Sequence, residues 1–369
     1  MPILERLQNH FPSYVWQHVL SMLVGLMRLR EAKTLTALTG QESLPPLSRT
    51  RNLCFWPLEE LIATRRSLIQ HTLAKRRQRR GRPHCLYLIL DDTVVPKRGK
   101  KLPALGFHFA SNEDRVVRGW DGVCTAVRVG SLTVPWDWRG YVNERFVEEE
   151  DFQKRTELAC ELIRSFAPPG RVVVLTDSVY GCAEVIRAAH QRGFVVGLLK
   201  QNRLLADGKR AWEVPEETSA SLQGLEIPVK VVHRGRGKGR RTVICTDLKL
   251  GRQQILRHLK RRWGIEVMFK LLKGQFGLGD CRCRGERSLE RWVEGVLLAY
   301  VLAGLTRWGK QWLKQEPSWG EVRQEWGWSL ISPAEEVGEW PAPLWRLLLG
   351  SCQFLSLIPK AQQEVILTP

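Results

Sequence analysis

The order of strand-like and helix-like segments between residues 86 and 199 constrains the fold of this 369-residue chain more than any other feature. Short apolar or alternating runs indicate strands, whereas apolar positions at three- and four-residue spacing indicate helices. The segments read strand, strand, strand, helix, strand, helix, strand, over residues 86–90, 116–129, 131–142, 152–166, 171–176, 182–192 and 194–199. This order predicts an α/β fold with a mixed five-stranded sheet flanked by helices.

Three further regions flank or interrupt this domain. Residues 1–83 have helical spacing and end in a basic tract at 75–82, which predicts a helical DNA-binding region with a phosphate-contacting linker. A plain helical cap fits the same pattern equally well. Residues 201–250 interrupt the alternation of strand-like and helix-like segments. Their pattern predicts a β-rich insertion whose hairpin carries a cationic tip. Residues 84–308 form the main domain, and the Trp-rich tail at 309–369 is expected to pack against it as helices.

The charge balance indicates a polyanionic partner. The chain has 57 Lys and Arg against 38 Asp and Glu, a net charge of +19. Such an excess favours binding to phosphates, because each neutralised phosphate releases counterions. The nine cysteines include no CxxC pair, residues 1–15 have no signal-peptide pattern, and no apolar run is long enough for a bilayer. We therefore expect a soluble protein of a reducing cytoplasm, with no membrane or small-molecule partner.

Two acidic positions follow predicted strands directly. Asp91 and Asp92 come after the run at 86–90, and Asp177 comes after the strand at 171–176. Ligand sites in open α/β sheets gather at the carboxyl ends of strands, and carboxylate oxygens are the ligands that Mg²⁺ or Mn²⁺ prefers. Either aspartate by itself more often starts a turn or caps a helix, so these positions alone leave the site open.

A third acid lies on a predicted helix over residues 253–274. Arg262, Glu266 and Lys273 are separated by four and seven residues, which places the three side chains on one face of the helix. An Arg–Glu pair at this spacing is ordinarily a solvent-facing ion pair, and in that case Glu266 has no chemical role.

The helix resembles the Tyr-x2-Arg-x3-Glu-x6-Lys signature of bacterial insertion-sequence transposases of the DDE transposase and retroviral integrase superfamily. Arg262, Glu266 and Lys273 match its Arg, Glu and Lys, whereas Leu259 stands where the signature has Tyr. Asp91-Asp92-Thr93 resembles the first-acid Asp-x-Thr motif, which selects Asp91 and leaves Asp92 as the fallback. Residues 176–181 resemble the second-acid motif, residues 200–203 resemble the family's sequence after the fifth strand, and the insertion falls where the family places one.

The resemblance covers roughly residues 86–305 and implies an RNase H-like catalytic core. It implies that Asp91, Asp177 and Glu266 hold two Mg²⁺ or Mn²⁺ ions, cut the ends of a transposon and join the freed 3′-hydroxyl to target DNA. Trp212 is a candidate for stacking on an unpaired base, although a buried core position fits it better. The residues expected to contact DNA are Arg262, Lys273, Lys200, Arg203, Arg234, Arg236, Lys238, Arg240, Arg241, Arg76, Arg77, Arg79 and Arg80.

Two other functions remain open on the sequence. A nuclease of the same fold would cut DNA without joining it, and a regulator descended from a transposase would bind DNA without cutting. We expect a bacterial, nucleoid-associated protein that forms a homodimer on DNA ends, since joining two ends requires two active sites. The terminal repeats, the target site and the cleavage pathway are not encoded in any pattern of the chain.

Overall fold

A computed structural model describes residues 19, 22, 23, 25–27, 57–79, 85–97, 105–110, 115–167, 170, 172–281, 283, 285–312 and 317–329. These residues belong to two compact units. One unit is Leu73–Leu271, and the other combines Met1–Thr72 with Leu272–Pro369. The expectations for most of residues 1–56 and most of the Trp-rich tail lie outside the described residues. None of the described helices has the length and apolar character needed to cross a bilayer.

The unit Leu73–Leu271 is built on one mixed β-sheet. Its described strands are β1 (Leu86–Pro96), β2 (Gly106–Ala110), β3 (Arg115–Val129), β4 (Leu132–Tyr141), β5 (Val172–Thr176), β6 (Gly193–Leu198), β7 (Thr218–Ser221), β8 (Pro228–Arg234) and β9 (Arg241–Cys245). Its described helices are α2 (Arg155–Ser165), α3 (Ala183–His190) and α4 (Arg252–Lys260). Helix α1 (Leu58–Arg79) and helix α5 (Trp263–Gly274) each have residues in both units.

The strands pair in the order β2-β3-β1-β5-β6-β9-β8-β7, and β4 pairs with the free side of β3. Strands β5 and β6 run parallel to β1, whereas β3 and β4 are antiparallel to their neighbours. The five predicted strands are all present as β1, β3, β4, β5 and β6. The predicted strand number is nevertheless wrong, because the described residues form a nine-stranded sheet. The insertion pairs its hairpin with the edge of β6 through β9 and so continues the same sheet.

The centre of the sheet is apolar on both faces. Every residue of β5 is buried, as expected for a parallel strand covered by helices on each side. Helices α2 and α3 pack against each other, α2 contacts β3 and β4, and α4 contacts β5 and β6. This arrangement holds the carboxyl end of β5 next to that of its parallel neighbour β1.

Gly193 is required where β6 meets β5. A Cβ atom at this position would lie 1.9 Å from the carbonyl oxygen of Val172, which is a backbone atom. We expect Gly193→Ala to lower the free energy of unfolding by about 3 kcal/mol, because the two strands must separate locally. Gly239→Ala is the matched control, since a Cβ there meets open space. Equal unfolding free energies for the two variants in urea denaturation would contradict this packing.

The predicted helix over residues 253–274 is interrupted. Helix α4 ends at Lys260 and α5 begins at Trp263. Between them the backbone makes tighter bonds to the third preceding residue, with Arg262 N 3.0 Å from the carbonyl oxygen of Leu259. At the start of α5, a Cβ on Gly264 would lie 2.4 Å from Nη1 of Arg128 and 2.5 Å from Oγ1 of Thr133. The chain therefore turns where glycine lets α5 approach the hairpin of β3 and β4.

The second unit contains residues 58–72 of α1 together with α6 (Glu286–Trp312) and α7 (Trp319–Ser329). A buried ion pair joins α1 to α6, with Arg65 Nη2 donating to Glu294 Oε2 at 3.0 Å. In the same unit the rings of Phe276, Tyr300 and Trp319 pack together. The rings of Tyr300 and Trp319 are stacked, with their centres 4.8 Å apart. The basic tract at 75–82 was predicted as a linker, but its first residues continue α1 to Arg79.

Candidate active site

Asp91 lies inside β1, although the sequence predicted that the strand ends before it. The parallel pairing of β1 with β5 stops at Ile89, opposite Leu175, but the antiparallel pairing with β3 continues to Pro96. The predicted boundary is wrong because β3 supplies hydrogen-bonding partners past the apolar run. Asp91 nevertheless stands two residues beyond the last parallel pair, with its side chain 13% exposed.

Asp177 follows the last residue of β5 and stands two residues beyond Leu175, level with Asp91 on the neighbouring strand. Its Oδ1 accepts hydrogen bonds from the backbone N–H groups of Val179 at 2.9 Å and Tyr180 at 3.3 Å. These bonds fix the orientation of the carboxylate. Burial raises the pKa of Asp177, while the two backbone bonds and the charges of Arg262 and Lys200 act in the opposite direction.

Arg262 joins the first acid to the third. Its Nη1 donates to Oδ2 of Asp91 at 2.7 Å, and its Nη2 donates to Oε1 of Glu266. Glu266 lies in the first turn of α5, one turn after Arg262, as the four-residue spacing predicted. The ion pair is therefore not an isolated surface contact, because the same guanidinium also holds an acid of the central sheet.

Burial is the main influence on the first acid. It raises the pKa of Asp91 to about 8, with Arg262 acting in the opposite direction and the charges of Asp177 and Asp92 adding to the rise. Burial likewise raises the pKa of Asp177. Carboxyl groups with raised pKa values, gathered at strand ends, are typical of functional sites.

The three acids are spread around Arg262. Within the described residues, no three His, Cys, Asp or Glu side chains converge on a common point as metal ligands would. The guanidinium lies between Asp91 and Glu266 and donates a hydrogen bond to each carboxylate.

Asp92, the fallback for the first acid, faces the other side of the sheet, since successive residues of a strand point to opposite faces. Its Oδ2 lies 4.0 Å from Nε of Arg155 on α2, whereas Asp91 contacts Arg262. Burial raises the pKa of Asp92 to about 6, and the charges of Asp121 and Asp177 act in the same direction. Asp92 therefore belongs to a separate charged network.

That network was missed in the sequence. Asp121 is buried in β3 and accepts hydrogen bonds from Nε and Nη2 of Arg155 at 2.9 and 2.5 Å. The guanidinium also lies 3.8 Å from the ring centre of Tyr141, and its Nη2 is 3.2 Å from Nδ1 of His108. An acid in the middle of an apolar strand was the available signal, because a buried carboxylate requires a partner.

The other predicted DNA contacts differ in accessibility. Lys200 is exposed, whereas Nη2 of Arg203 donates to the carbonyl oxygen of Gln223 at 2.8 Å and Lys273 is half-buried. In the hairpin tip Arg234, Arg236 and Arg241 are exposed, Arg240 is half-buried, and the side chain of Lys238 lies outside the described residues. The side chains of Arg76, Arg77 and Arg79 and the whole of Arg80 also lie outside them.

Trp212 is 40% exposed, so its expected place in a buried core is wrong. An exposed indole in the insertion keeps the stacking role available.

Comparison with known families agrees with this geometry. Residues 153–302 match the family described as transposase DDE domain, and residues 63–224 match the family described as DDE superfamily endonuclease. The chain is a DDE transposase. The two matches overlap and together include Asp91, Asp177 and Glu266. No curated protein matches the chain by sequence.

A solved structure shows the same fold. The similar molecule is a piggyBac transposase, determined by cryo-electron microscopy as a synaptic complex with hairpin DNA. The TM-score is 0.53 with 10% sequence identity, and the alignment covers 96% of this chain and 76% of the other. At this identity the likeness describes the fold alone. As a DDE transposase, the chain is an endonuclease of a class that generally depends on divalent metal ions.

Proposed function

We propose that this transposase cleaves phosphodiester bonds at transposon ends and joins the freed 3′-hydroxyl to target DNA, using Asp91, Asp177 and Glu266 as ligands of two Mg²⁺ or Mn²⁺ ions. The observation that carries the proposal is the level placement of Asp91 and Asp177, each two residues beyond the last parallel pair of β1 and β5, with Glu266 tied to Asp91 through Arg262. Ligand sites in open α/β sheets form at this edge.

The donor chemistry fits divalent cations. All three side chains offer carboxylate oxygens, the ligand type that Mg²⁺ and Mn²⁺ select. Burial raises the pKa values of Asp91 and Asp177 although the charge of Arg262 acts in the opposite direction, so a further positive charge would stabilise their ionised forms. Divalent cations would supply that charge, and Asp91, Asp177 and Glu266 would hold them. Nothing else in the immediate surroundings of Asp91 offers a second positive group within ion-pair distance among the described residues.

The residues of the chain then have separate roles. Bound divalent cations supply activation of the attacking oxygen and stabilisation of the leaving oxygen in an in-line displacement. The backbone N–H groups of Val179 and Tyr180 keep Asp177 oriented. Arg262 would be freed from Asp91 and Glu266 if these carboxylates held cations, and its planar guanidinium would then be suited to grip a DNA phosphate. Lys273 is proposed as a second phosphate contact near the end of the same helix.

The net charge of the chain and its similarity to a solved transposase both support DNA as the partner. The net charge of +19 favours a polyanion, and the similar solved transposase is described in complex with DNA. Exposed Lys200, Arg234 and Arg236 are proposed to contact the backbone, which sets affinity rather than sequence choice. A homodimer assembled on two DNA ends remains part of the proposal, because each end needs its own catalytic centre.

We also propose that the core is RNase H-like and that the chain belongs to the insertion-sequence group with the Tyr-Arg-Glu-Lys signature. The path β4-β3-β1-β5-β6, with the first three strands antiparallel and the last two parallel to β1, supports the former. The contacts of Arg262 with Asp91 and Glu266 support the latter. Leu259, at the position of the signature Tyr, is buried and apolar, so this chain lacks a phenol there.

Strand transfer is the test that separates a transposase from a nuclease of the same fold. A labelled end duplex incubated with supercoiled plasmid and Mg²⁺ should yield plasmid covalently joined to the label. The end sequence is read from the inverted repeats that bracket the gene. Cleaved label with no joined product would favour the nuclease, and binding without cleavage would favour the idle regulator.

The binding of Mg²⁺ should strengthen as pH rises. Because burial raises the pKa of Asp91 to about 8, the folded protein keeps this proton where an unfolded aspartate has lost it. Without cations, stability from this group is therefore full below about pH 4 and declines as pH rises towards 8. At pH 6 about 1% of Asp91 is ionised and at pH 8 about half, so the apparent affinity for Mg²⁺ should rise about 50-fold.

Isothermal titration calorimetry with Mg²⁺ at pH 6 and pH 8 measures this directly. Repeating each titration in buffers of different ionisation enthalpy counts the protons released on binding. About one proton is expected to leave at pH 6 and about half a proton at pH 8. An affinity that does not vary with pH, with no proton release, would contradict a protonated Asp91 in the binding site.

A further inference from the structure

A second group of cations lies beside the candidate active site and has no role in the account above. Arg257 and Lys260 lie in the last turn of α4, and Arg261 follows it directly. All three are exposed. Arg128, near the end of β3, is half-buried against the first turn of α5, where Gly264 leaves room for its guanidinium. We call these four residues the arginine patch.

The arginine patch has no acidic partners in the part of the chain that the structure describes. None of its members forms a salt bridge there, although several surface arginines of the same unit do, such as Arg187 with Glu226. Nη1 of Arg128 donates only to Oγ1 of Thr133, at 3.3 Å, and its Nε is buried with no hydrogen-bond partner among the described residues. A half-buried guanidinium without an anion is costly unless an anion is supplied.

A like charge lies close to Arg128. Burial and the charge of Arg261 lower the pKa of Arg128, against a smaller opposite effect of Tyr87. Burial and the charges of Arg257 and Arg261 lower the pKa of His258, and Asp247 acts in the opposite direction. The C-terminal dipole of α4 accounts for part of this preference, since it stabilises Arg257 and Lys260. It does not account for Arg128, which lies on the sheet. A negatively charged ligand would reduce the repulsion between Arg128 and Arg261.

The position of the patch relates it to Asp91. Arg128 pairs with Tyr87 across β1 and β3, and Tyr87 and Asp91 point to the same face because they are four residues apart on one strand. Four residues of a strand span about 13 Å. Arg261 also directly precedes Arg262, which contacts Asp91.

We propose that the arginine patch is a phosphate-binding site for duplex DNA, which grips the backbone beside the bond that is cut. The proposal rests on the proposed function for the identity of the ligand. The shared chemistry is the phosphodiester backbone, and the DNA comes from the flank of the transposon end or from the target. The partners of the phosphates are the exposed Arg257, Lys260 and Arg261, with Arg128 beneath them.

The test measures DNA binding without cleavage. Fluorescence anisotropy in EDTA, over a series of salt concentrations, compares the wild type with a triple variant of Arg257→Gln, Lys260→Gln and Arg261→Gln. The matched control is Arg145→Gln, Arg164→Gln and Arg187→Gln, which removes the same charge from residues outside the patch. The probes are a duplex of arbitrary sequence, a pre-cut end duplex and an end duplex with its flank.

Removal of three phosphate contacts should lower the affinity at least tenfold at about 0.1 M salt and reduce the salt slope by about two to three. A loss confined to the flanked end assigns the site to flanking DNA, and a loss on the arbitrary duplex assigns it to target DNA. Equal losses in the patch variant and the control variant would overturn the proposal. The Arg128→Gln variant is a second test of the site. If Arg128 belongs to it, this variant must lose affinity for the same DNA probe as the triple variant.

Failure of the proposed function would look different. Inactive catalytic acids would abolish cleavage in Mg²⁺ and leave binding in EDTA intact. A wrong assignment of the arginine patch would leave both the affinity and the salt slope of the triple variant at the values of the control, whether or not the protein cuts DNA.

Discussion

Replacing Glu266 with Gln is expected to lower the rate of Mg²⁺-dependent cleavage of an end duplex by about 10³-fold or more. The amide keeps the size of the side chain, but it carries no charge and offers one oxygen in place of two. In the structure Glu266 also accepts a hydrogen bond from Arg262, which an amide oxygen can still accept. The fold should therefore survive while the chemistry is lost, and gel analysis of a labelled duplex measures the rate.

Glu184→Gln is the matched control. Glu184 is exposed and lies in the first turn of α3, as Glu266 lies in the first turn of α5, but it has no link to Asp91. This variant should cut DNA at the rate of the wild type. If Glu266→Gln and Glu184→Gln cleave equally well, Glu266 has no part in catalysis and the ion pair with Arg262 is structural.

Removing one partner of the buried pair in the second unit should have the largest effect on stability. Arg65 is fully buried, and its guanidinium is held by both carboxylate oxygens of Glu294. Arg65→Ala removes the guanidinium that both carboxylate oxygens of buried Glu294 contact, and it should lower the free energy of unfolding by about 3–5 kcal/mol. Urea denaturation followed by circular dichroism measures this loss.

A double variant distinguishes the charge from the packing. Arg65→Met combined with Glu294→Leu replaces both charges with apolar groups of similar size, and it should recover most of the loss or exceed the wild-type stability. Arg187→Ala, which breaks an exposed pair, should change stability little. An Arg65→Ala variant as stable as Arg187→Ala would show that the pair in the second unit is solvated in solution.

The strand order was predictable because local composition determines it. The sequence of buried β5 contains Val172-Val173-Val174-Leu175. A short β-branched run of this kind, which follows a proline-glycine turn and precedes an aspartate, predicts a buried strand and little else. The alternation over β3 and β4 was equally informative. The placement of Asp91 and Asp177 at one edge follows from these strands, since adjacent parallel strands end on the same side.

Features that depend on distant residues were not predictable. The apolar run of β1 ends at Leu90, but β3 continues to pair with it as far as Pro96. Helical spacing continues through residues 261–264, yet the break between α4 and α5 arises where Gly264 meets Arg128 and Thr133. In the same way, no spacing rule connects Asp121 with Arg155, which are 34 residues apart and meet only in the folded sheet.

The position of Arg262 is the clearest example of this limit. Its spacing from Glu266 predicted the ion pair on the helix, but not the second hydrogen bond to Asp91 from the central sheet. That contact ties Asp91 to Glu266, and it defines what must change if both carboxylates are to hold cations.

Anomalous diffraction from crystals grown with Mn²⁺ and an end duplex tests the central claim most directly. We expect anomalous peaks whose protein ligands are carboxylate oxygens of Asp91, Asp177 and Glu266 at about 2.0–2.2 Å, with Arg262 moved from Asp91 to a DNA phosphate. Crystals that contain Mn²⁺ elsewhere, with Arg262 still bonded to Asp91 and Glu266 as in the present structure, would contradict the account.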